Sequence, residues 1–266
     1  VKGCIANGID EKTANHIYDE MIDFAKYAFN KSHAAAYAVV SYQTAYLKYY
    51  HPVEFMAALM TSVKDNVTKV SEYIMSCRQM GMKIMPPDIN EGEGGFSVSD
   101  GAIRYGLSAI KSIGQSVVDE IVRERTEHGK FRSLEDFIDR MSGREVNKRT
   151  LESFIKSGAM DGLPGTRKQK SMVCGSMVDQ KNKEDKKSFQ ITFPNVGEYS
   201  REEYLAYEKE MLGVYVSGHP LEEYIGTWEK NVTAKSSDFV VDEETGSAVV
   251  HDGAYVTIGG MITEKT

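Results

Sequence analysis

The sequence predicts a mainly α-helical protein with one short β-hairpin and one C-terminal strand. Apolar residues recur every three or four positions through residues 11–80 and 107–160, the spacing of amphipathic helices. Asp100-Gly101 lies between two short alternating segments, which indicates a two-residue hairpin turn. Residues 254–263 alternate as a half-buried strand does.

Four helices are expected in the first 81 residues. They are predicted over residues 11–29, over 34–50, from Pro52 onwards and over 66–80, with Gly81 as a C-terminal stop. The first two carry apolar stripes, which predict buried faces. Their members are Ile17, Met21, Phe24 and Ala28, then Tyr37, Val40, Thr44 and Leu47. For Tyr37 and Tyr42, packing in a helical core is the favoured expectation, and the alternative is that both line the same face as Lys31 and His33.

The remaining elements follow from turn residues and periodicity. Residues 83–95 are rich in proline and glycine and predict a linker ahead of the hairpin. Helices resume over residues 107–160. Residues 163–200 are polar and basic and predict a poorly ordered connector with one short helix near 169–178. A charged helix is expected over 201–213.

The charge of the chain is unevenly distributed. The formal net charge is -7, yet residues 102–190 carry 18 Lys and Arg against 13 Asp and Glu, a balance of +5. The flanking residues 1–101 and 191–266 carry -3 and -9. Any contact with DNA is therefore expected in the middle third, unless this distribution is a chance fluctuation.

Composition excludes several classes of protein. The three cysteines, Cys4, Cys77 and Cys174, form no C-x-x-C pair, which argues against structural zinc and is typical of reduced thiols. No apolar run reaches the roughly 18 residues of a membrane span, and no signal peptide is recognisable. Because the chain begins at Val1, we expect a segment of a longer protein.

Residues 107–122 have the spacing of a helix-hairpin-helix. Leu107 and Ile110 are expected to close the first helix against the second, Ile113 to plug the hairpin, and Gly114 to allow the tight turn. That geometry points backbone amides and the N-terminus of a helix at a DNA phosphate, a contact that does not depend on the base sequence. The predicted contacts are Lys111, Ser112, Ile113, Gly114 and Gln115. The alternative is an ordinary αα-hairpin with a glycine turn.

A second, weaker unit follows the first. Val146, Leu151 and Phe154 or Ile155 precede Lys156-Ser157-Gly158-Ala159-Met160, in a similar spacing. No clear matching helix is recognisable after it. We therefore interpret this unit as degenerate and mostly structural.

A second predicted site is the helix start at residues 30–33. Lys31, Ser32 and His33 suit a triphosphate, because Ser32 can cap the free amides while Lys31 and His33 flank them. The alternative is a capped helix with solvent-facing charges.

Long stretches of the chain resemble the bacterial DNA polymerase III alpha subunits, the C-family replicative polymerases. The matching residues are 24–38, 41–48 and 51–58 for the fingers, 86–90 for a linker, 105–111 for a first hairpin, 146–149, 151 and 157–159 for a second, and 208–213 and 217–221 for the segment leading into a barrel. Residues 165–190 are the weak part of this likeness.

The resemblance implies a layout of four parts. They are the end of a helical fingers domain (1–90), a tandem helix-hairpin-helix DNA-binding domain (91–163), a basic flexible connector (164–200), and a helix with the strand that begins an OB-type β-barrel (201–266). The family implies a cytoplasmic bacterial DNA-directed DNA polymerase, a nucleotidyltransferase of DNA replication. Its fingers bind the incoming dNTP, and its Mg²⁺ ions are held by palm aspartates that no residues here match, so this segment alone is expected to be inactive.

The same family often carries a peptide for the sliding clamp, and Gln190, Ile191 and Phe193 lie in the corresponding place. Pro194 departs from the usual pattern. The alternative is a loop whose aromatic ring packs back onto the domain. Two other functions remain open for the whole chain: the helix-hairpin-helix module of a DNA repair nuclease or ligase, which leaves residues 24–60 without a role, and a helical scaffold with no nucleic-acid role.

Overall fold

The computed structural model describes residues 1–26, 31–141, 146–183, 192–242 and 246–262. The structure is mainly helical with one small sheet, as predicted. The chain forms two compact units, Val1–Phe55 and Met56–Thr266. Within the described ranges, no helix is both long and apolar enough to cross a lipid bilayer.

The first unit contains α1 (Lys2–Ala6), α2 (Glu11–Lys26) and α3 (Lys31–Tyr50). Asp10 begins α2 by accepting the Thr13 amide at 3.0 Å, and hydrogen bonds from Thr13 hold the pKa of the Asp10 carboxyl below its usual value. Ala14 is buried.

The predicted buried faces of α2 and α3 are not buried by the described residues. Met21 is 62% exposed, and the predicted core residues Tyr37 and Tyr42 are 60% and 70% exposed. No residue of α3 is buried. The expectation of core packing is therefore wrong for this chain, because periodicity identifies a face but not the surface that covers it.

The second unit begins within α4 (Pro52–Ser62) and continues with α5 (Val67–Gln79). Asn66 caps α5 by accepting the Lys69 amide, and Gly81 follows the helix at φ +74°. The division between units at Phe55 falls inside the residues 1–90 expected to form one domain. Thr61 of α4 exchanges hydrogen bonds with the backbone of Phe96, next to the sheet, and so joins α4 to the rest of the second unit.

The sheet has three strands in the order β1 (Ile84–Met85), β3 (Ala102–Arg104), β2 (Ser97–Ser99). The predicted hairpin is confirmed: β2 and β3 pair antiparallel, and Asp100 and Gly101 both have positive φ, at 51° and 71°. Strand β1, parallel to β3, lies within the predicted linker. A two-residue strand is too short to show alternation.

The rest of that predicted linker is bound to the helices. The Asn90 side chain makes two hydrogen bonds to the Phe131 backbone, at 2.9 and 2.8 Å. Arg125 donates to the carbonyls of Ile89 and Gly92. Proline and glycine marked irregular backbone here, but tertiary hydrogen bonds make it part of the domain.

The helical region packs around a continuous apolar core. Its elements are a 3₁₀ turn (Leu107–Ala109), α6 (Gln115–His128), α7 (Leu134–Met141), α8 (Lys148–Ser157), α9 (Arg167–Lys183) and α10 (Arg201–Leu212). Helix α8 packs against both α9 and α10. Fully buried members of this core include Leu107, Ile121, Phe137, Phe154 and Ile155.

Helix α9 corrects the predicted connector. It is longer than the short helix expected near 169–178, and its residues Arg167 and Lys170 are 2% and 1% exposed. Basic residues are rarely buried, so their polarity gave the segment the appearance of a solvated loop. The prediction of a poorly ordered connector is therefore wrong for the described start of this helix.

The last part of the chain contains a 3₁₀ turn (Glu222–Tyr224), α11 (Ile225–Asn231) and a second 3₁₀ turn (Ser236–Phe239). The predicted strand near the C-terminus is not a strand over residues 254–262. The Thr257 carbonyl accepts the Thr233 amide, and the Thr257 amide donates to the Thr233 hydroxyl, but no ladder forms. Alternation predicts two faces, whereas a strand also needs a partner for its amides. The barrel remains a prediction.

Candidate nucleic-acid interface

The first hairpin is built by apolar packing at the positions that the sequence indicated. Leu107, Ile110, Val118 and Ile121 are all buried, and Ile113 is 7% exposed, so it plugs the hairpin as predicted. The first helix, however, is a single 3₁₀ turn. Helix α6 starts at Gln115 and exposes the loop in front of it.

The strained residue of this loop is Ser112, not Gly114. Ser112 has φ +69°, while Gly114 has φ -82° and ψ 155°. A methyl group added to Gly114 would meet only the Ser116 hydroxyl, at 3.8 Å. The expected role of Gly114 in turning the backbone is therefore wrong. Because Gly114 has no side chain, it instead leaves room for another molecule to approach the start of α6 closely.

The start of α6 offers free hydrogen-bond donors. Within the described residues, the amides of Gly114 and Gln115 donate to no protein acceptor. The amide of Lys111 is not available, because it donates to the Met211 carbonyl at 2.9 Å. Its ammonium group is on an exposed side chain. This end of α6 is thus a positive, accessible helix terminus.

Two cations that sequence reasoning missed lie at the same hairpin. Arg149 Nη2 is 3.2 Å from Ser112 Oγ, and Lys64 Nζ is 2.8 Å from Gln115 Oε1. With Lys111 they form what we call the hairpin cation cluster. In the parts of the chain that the structure describes, no carboxylate forms a salt bridge with any of the three.

The second hairpin has the matching helix that the sequence did not indicate. Asn147 caps α8, Gly158 ends it in the left-handed conformation at φ +85°, and α9 packs back onto α8. A second helix-hairpin-helix is therefore present. Its polar, basic helix was not recognisable by apolar periodicity.

The start of α9 differs from the start of α6 because a carboxylate occupies it. The amides of Arg167 and Lys168 donate to the two Glu198 oxygens, at 2.8 and 3.1 Å. The Arg167 side chain is buried and turns inward, where its Nη2 is 2.7 Å from Asp161 Oδ2 and 3.5 Å from Glu208 Oε1. Burial opposes the charge of Arg167, but the hydrogen bond and charge of Asp161, together with Tyr204 and Glu208, outweigh burial and raise the arginine pKa.

The predicted triphosphate contacts lie together at the start of α3. Lys31, Ser32 and His33 are all exposed. Because α3 begins at Lys31, Ser32 lies inside the first turn and is not the cap; residues 27–30 lie outside the described residues. The His33 ring lies 4.3 Å from the Tyr37 ring, centroid to centroid.

The predicted clamp peptide is described only in part, since Gln190 and Ile191 lie outside the described residues. Phe193 is half-buried, and a methyl group added to Gly165 would come within 2.9 Å of its ring. Pro194 accepts a hydrogen bond from Gln169 at 3.0 Å. These contacts favour the alternative in which the aromatic ring packs back onto the domain.

Within the described ranges, no group of three or more His, Cys, Asp or Glu side chains is placed to hold a metal ion.

The comparisons with known proteins agree with this geometry. A family model for the helix-hairpin-helix motif matches residues 81–170, which include both hairpins. Three DNA polymerase III alpha subunits are similar over most of the chain: 40% identity over 84% of it in Borreliella burgdorferi, 41% over 89% in Campylobacter jejuni, and 36% over 99% in Escherichia coli K12. The chain spans 21%, 21% and 24% of their lengths. Over this segment, the chain belongs to the family of bacterial DNA polymerase III alpha subunits.

Proposed function

We propose that this chain is the part of a template-directed DNA polymerase that holds duplex DNA by its backbone phosphates. The observation that carries the proposal is the first hairpin. Among the residues that the structure describes, the Gly114 and Gln115 amides at the start of α6 have no acceptor, and the nearby Lys64, Lys111 and Arg149 form no salt bridge. Phosphate oxygens are the anions that such amides and cations bind best.

The mode of binding follows from the groups involved. Amides, ammonium and guanidinium groups that contact phosphates fix the position of a duplex but carry no sequence information. Each neutralised phosphate releases bound counterions, so affinity falls as salt rises. A polymerase needs this behaviour, because it must hold the product duplex at every sequence it copies.

The proposal extends to the nucleotide through Lys31, Ser32 and His33. They lie on the exposed first turn of a 20-residue helix, where the helix dipole favours an anion. The incoming dNTP of the longer protein is the ligand we assign to them. Crosslinking a dNTP analogue to Lys31 in the intact polymerase tests this assignment, and the absence of any adduct there would contradict it.

Catalysis itself is assigned to the longer protein. Two-metal nucleotidyl transfer needs carboxylates that hold Mg²⁺, and Asp19 and Glu20 lie exposed on the outer face of α2. We therefore expect the chain alone to extend no primer, and place the complete enzyme in the bacterial cytoplasm. Primer extension by the purified chain would contradict this part of the proposal.

Duplex binding is tested by titrating salt. The slope of log affinity against log salt should become shallower by about 0.9 for each phosphate contact removed. We expect this change from Lys111→Ala and from Arg149→Ala. Lys230→Ala, a change of the same charge on the exposed α11, is the matched control. Equal effects of all three variants would contradict a localised phosphate site.

A further inference from the structure

The first turn of α9 has an unusual charge pattern. Arg167, Lys168 and Lys170 all lie in the first four residues of the helix, and its first turn contains no acidic residue. Cations at a helix N-terminus are unfavourable, because the free amides already make that end positive. Thr166 accepts the Gln169 amide at 3.1 Å, so the amides of Arg167 and Lys168 remain for an acceptor from elsewhere in the chain.

Glu198 supplies that anion from 30 residues further along the chain. Its two oxygens accept from two successive amides, those of Arg167 and Lys168. Glu198 is exposed, so the carboxylate reaches the helix start from the solvent side. This is the side from which an external phosphate would approach.

The segment that carries Glu198 is held at two further points. Phe193 lies against Gly165 in the loop of the second hairpin, and Gln169 of α9 donates to the Pro194 carbonyl. Residues 193–198, which we call the strap, thus lie across the second hairpin. The first hairpin has no such cover among the described residues, since its Gly114 and Gln115 amides are open.

We propose that Glu198 is an internal substitute for a backbone phosphate, which closes the second hairpin to nucleic acid while the strap is in place. The inference rests on the proposed function of the first hairpin. The two carboxylate oxygens stand for two phosphate oxygens at the Arg167 and Lys168 amides, an anion site that the chain itself fills. The duplex is then held through one hairpin until the strap is displaced.

The experiment measures duplex binding by the full chain as salt rises from 50 to 200 mM, using Glu198→Gln. Glutamine keeps the size of the side chain but removes its charge. We expect the slope of log affinity against log salt concentration to steepen by about 0.9 in Glu198→Gln. Between 50 and 200 mM salt, the affinity of this variant should therefore fall about threefold more than that of the wild type. Glu202→Gln removes the same charge from the exposed start of α10 and serves as the control. Equal slopes in the two variants would overturn the proposal.

A second variant separates a new phosphate contact from a disturbed fold. Lys168→Ala should leave the salt slope of the wild type unchanged. Combined with Glu198→Gln, it should remove the extra steepness of that slope, because Lys168 lies at the helix start that Glu198→Gln frees. If Lys168→Ala weakens both backgrounds equally, the second hairpin already contacts DNA and the proposal is wrong. If the wild type binds with a salt-dependent slope but Glu198→Gln adds nothing, only this inference fails. If no form binds duplex, the proposed function fails as well.

Discussion

Replacing Glu208 by glutamine tests how the second hairpin is held against α10. Glu208 is fully buried. One carboxylate oxygen lies 3.5 Å from Arg167 Nη2, and the other accepts the amides of Val216 and Ser217, each at 3.0 Å. The single carboxylate therefore joins α9, α10 and the segment that follows α10.

The expected cost comes from the mismatch that glutamine creates. Its amide has one acceptor oxygen, so it satisfies either the arginine or the two backbone amides, while its NH₂ group faces donors on the other side. Breaking one side of a buried ion pair costs about 3–5 kcal/mol. Because Asp161 still pairs with Arg167, we expect the lower end, about 3 kcal/mol of unfolding free energy.

Urea denaturation of the full chain, followed by circular dichroism, measures this difference. Glu210→Gln is the matched control on the same helix, since Glu210 is about half exposed and pairs with Lys156 at 3.5 Å. An exposed pair contributes less than about 1 kcal/mol. If Glu208→Gln unfolds within about 0.5 kcal/mol of Glu210→Gln at an equal m-value, the network does not hold the hairpin and the reasoning is refuted.

Three further predictions concern the hairpin loop, the thiols and the strap. Gly158→Ala should destabilise the fold by about 2 kcal/mol more than Gly81→Ala, because both glycines have positive φ but only at Gly158 would the added methyl clash, 2.1 Å from the buried, ion-paired guanidinium of Arg167. At Gly81 the methyl meets nothing within 4 Å, so equal costs of the two variants in urea denaturation would contradict this prediction. Burial raises the pKa of the Cys77 thiol to about 11, so its reactive thiolate is scarce at pH 8 and a thiol reagent should label the partly exposed Cys4 first. If mass spectrometry detects early modification of Cys77, the packing of the core around this thiol is contradicted. The clamp peptide predicted from the sequence requires that Phe193→Ala in the complete polymerase abolish retention on the sliding clamp. Undiminished binding in a pull-down would end that prediction and leave Phe193 with its packing contact at Gly165 alone.

Local sequence signals were sufficient where a few neighbouring residues decide the structure. Asp100-Gly101 predicted the hairpin turn, because both positions tolerate positive φ. Ile113 was predicted as the plug of the first hairpin from its spacing alone, and it is buried. The resemblance to the polymerase family identified the part of the polymerase to which this chain corresponds.

Non-local contacts decided the candidate site. Lys64 and Arg149 are 51 and 37 residues from their hairpin partners, Gln115 and Ser112. No periodicity or spacing rule links positions so far apart. Their role depends on how α8 and the turn after α4 pack beside the loop, which is a property of the tertiary structure.

The sequence by itself determined the helical character of the chain, the turn of the β-hairpin and the apolar frame of the first hairpin, because these depend on period, turn chemistry and side-chain size. Only the tertiary structure decided that one hairpin is open and the other filled. Arg167 and Glu198 look like two solvated charges in the sequence, yet one is buried in an ion network and the other completes a helix terminus. Charge shows that a residue needs a partner, and folding decides which partner it receives.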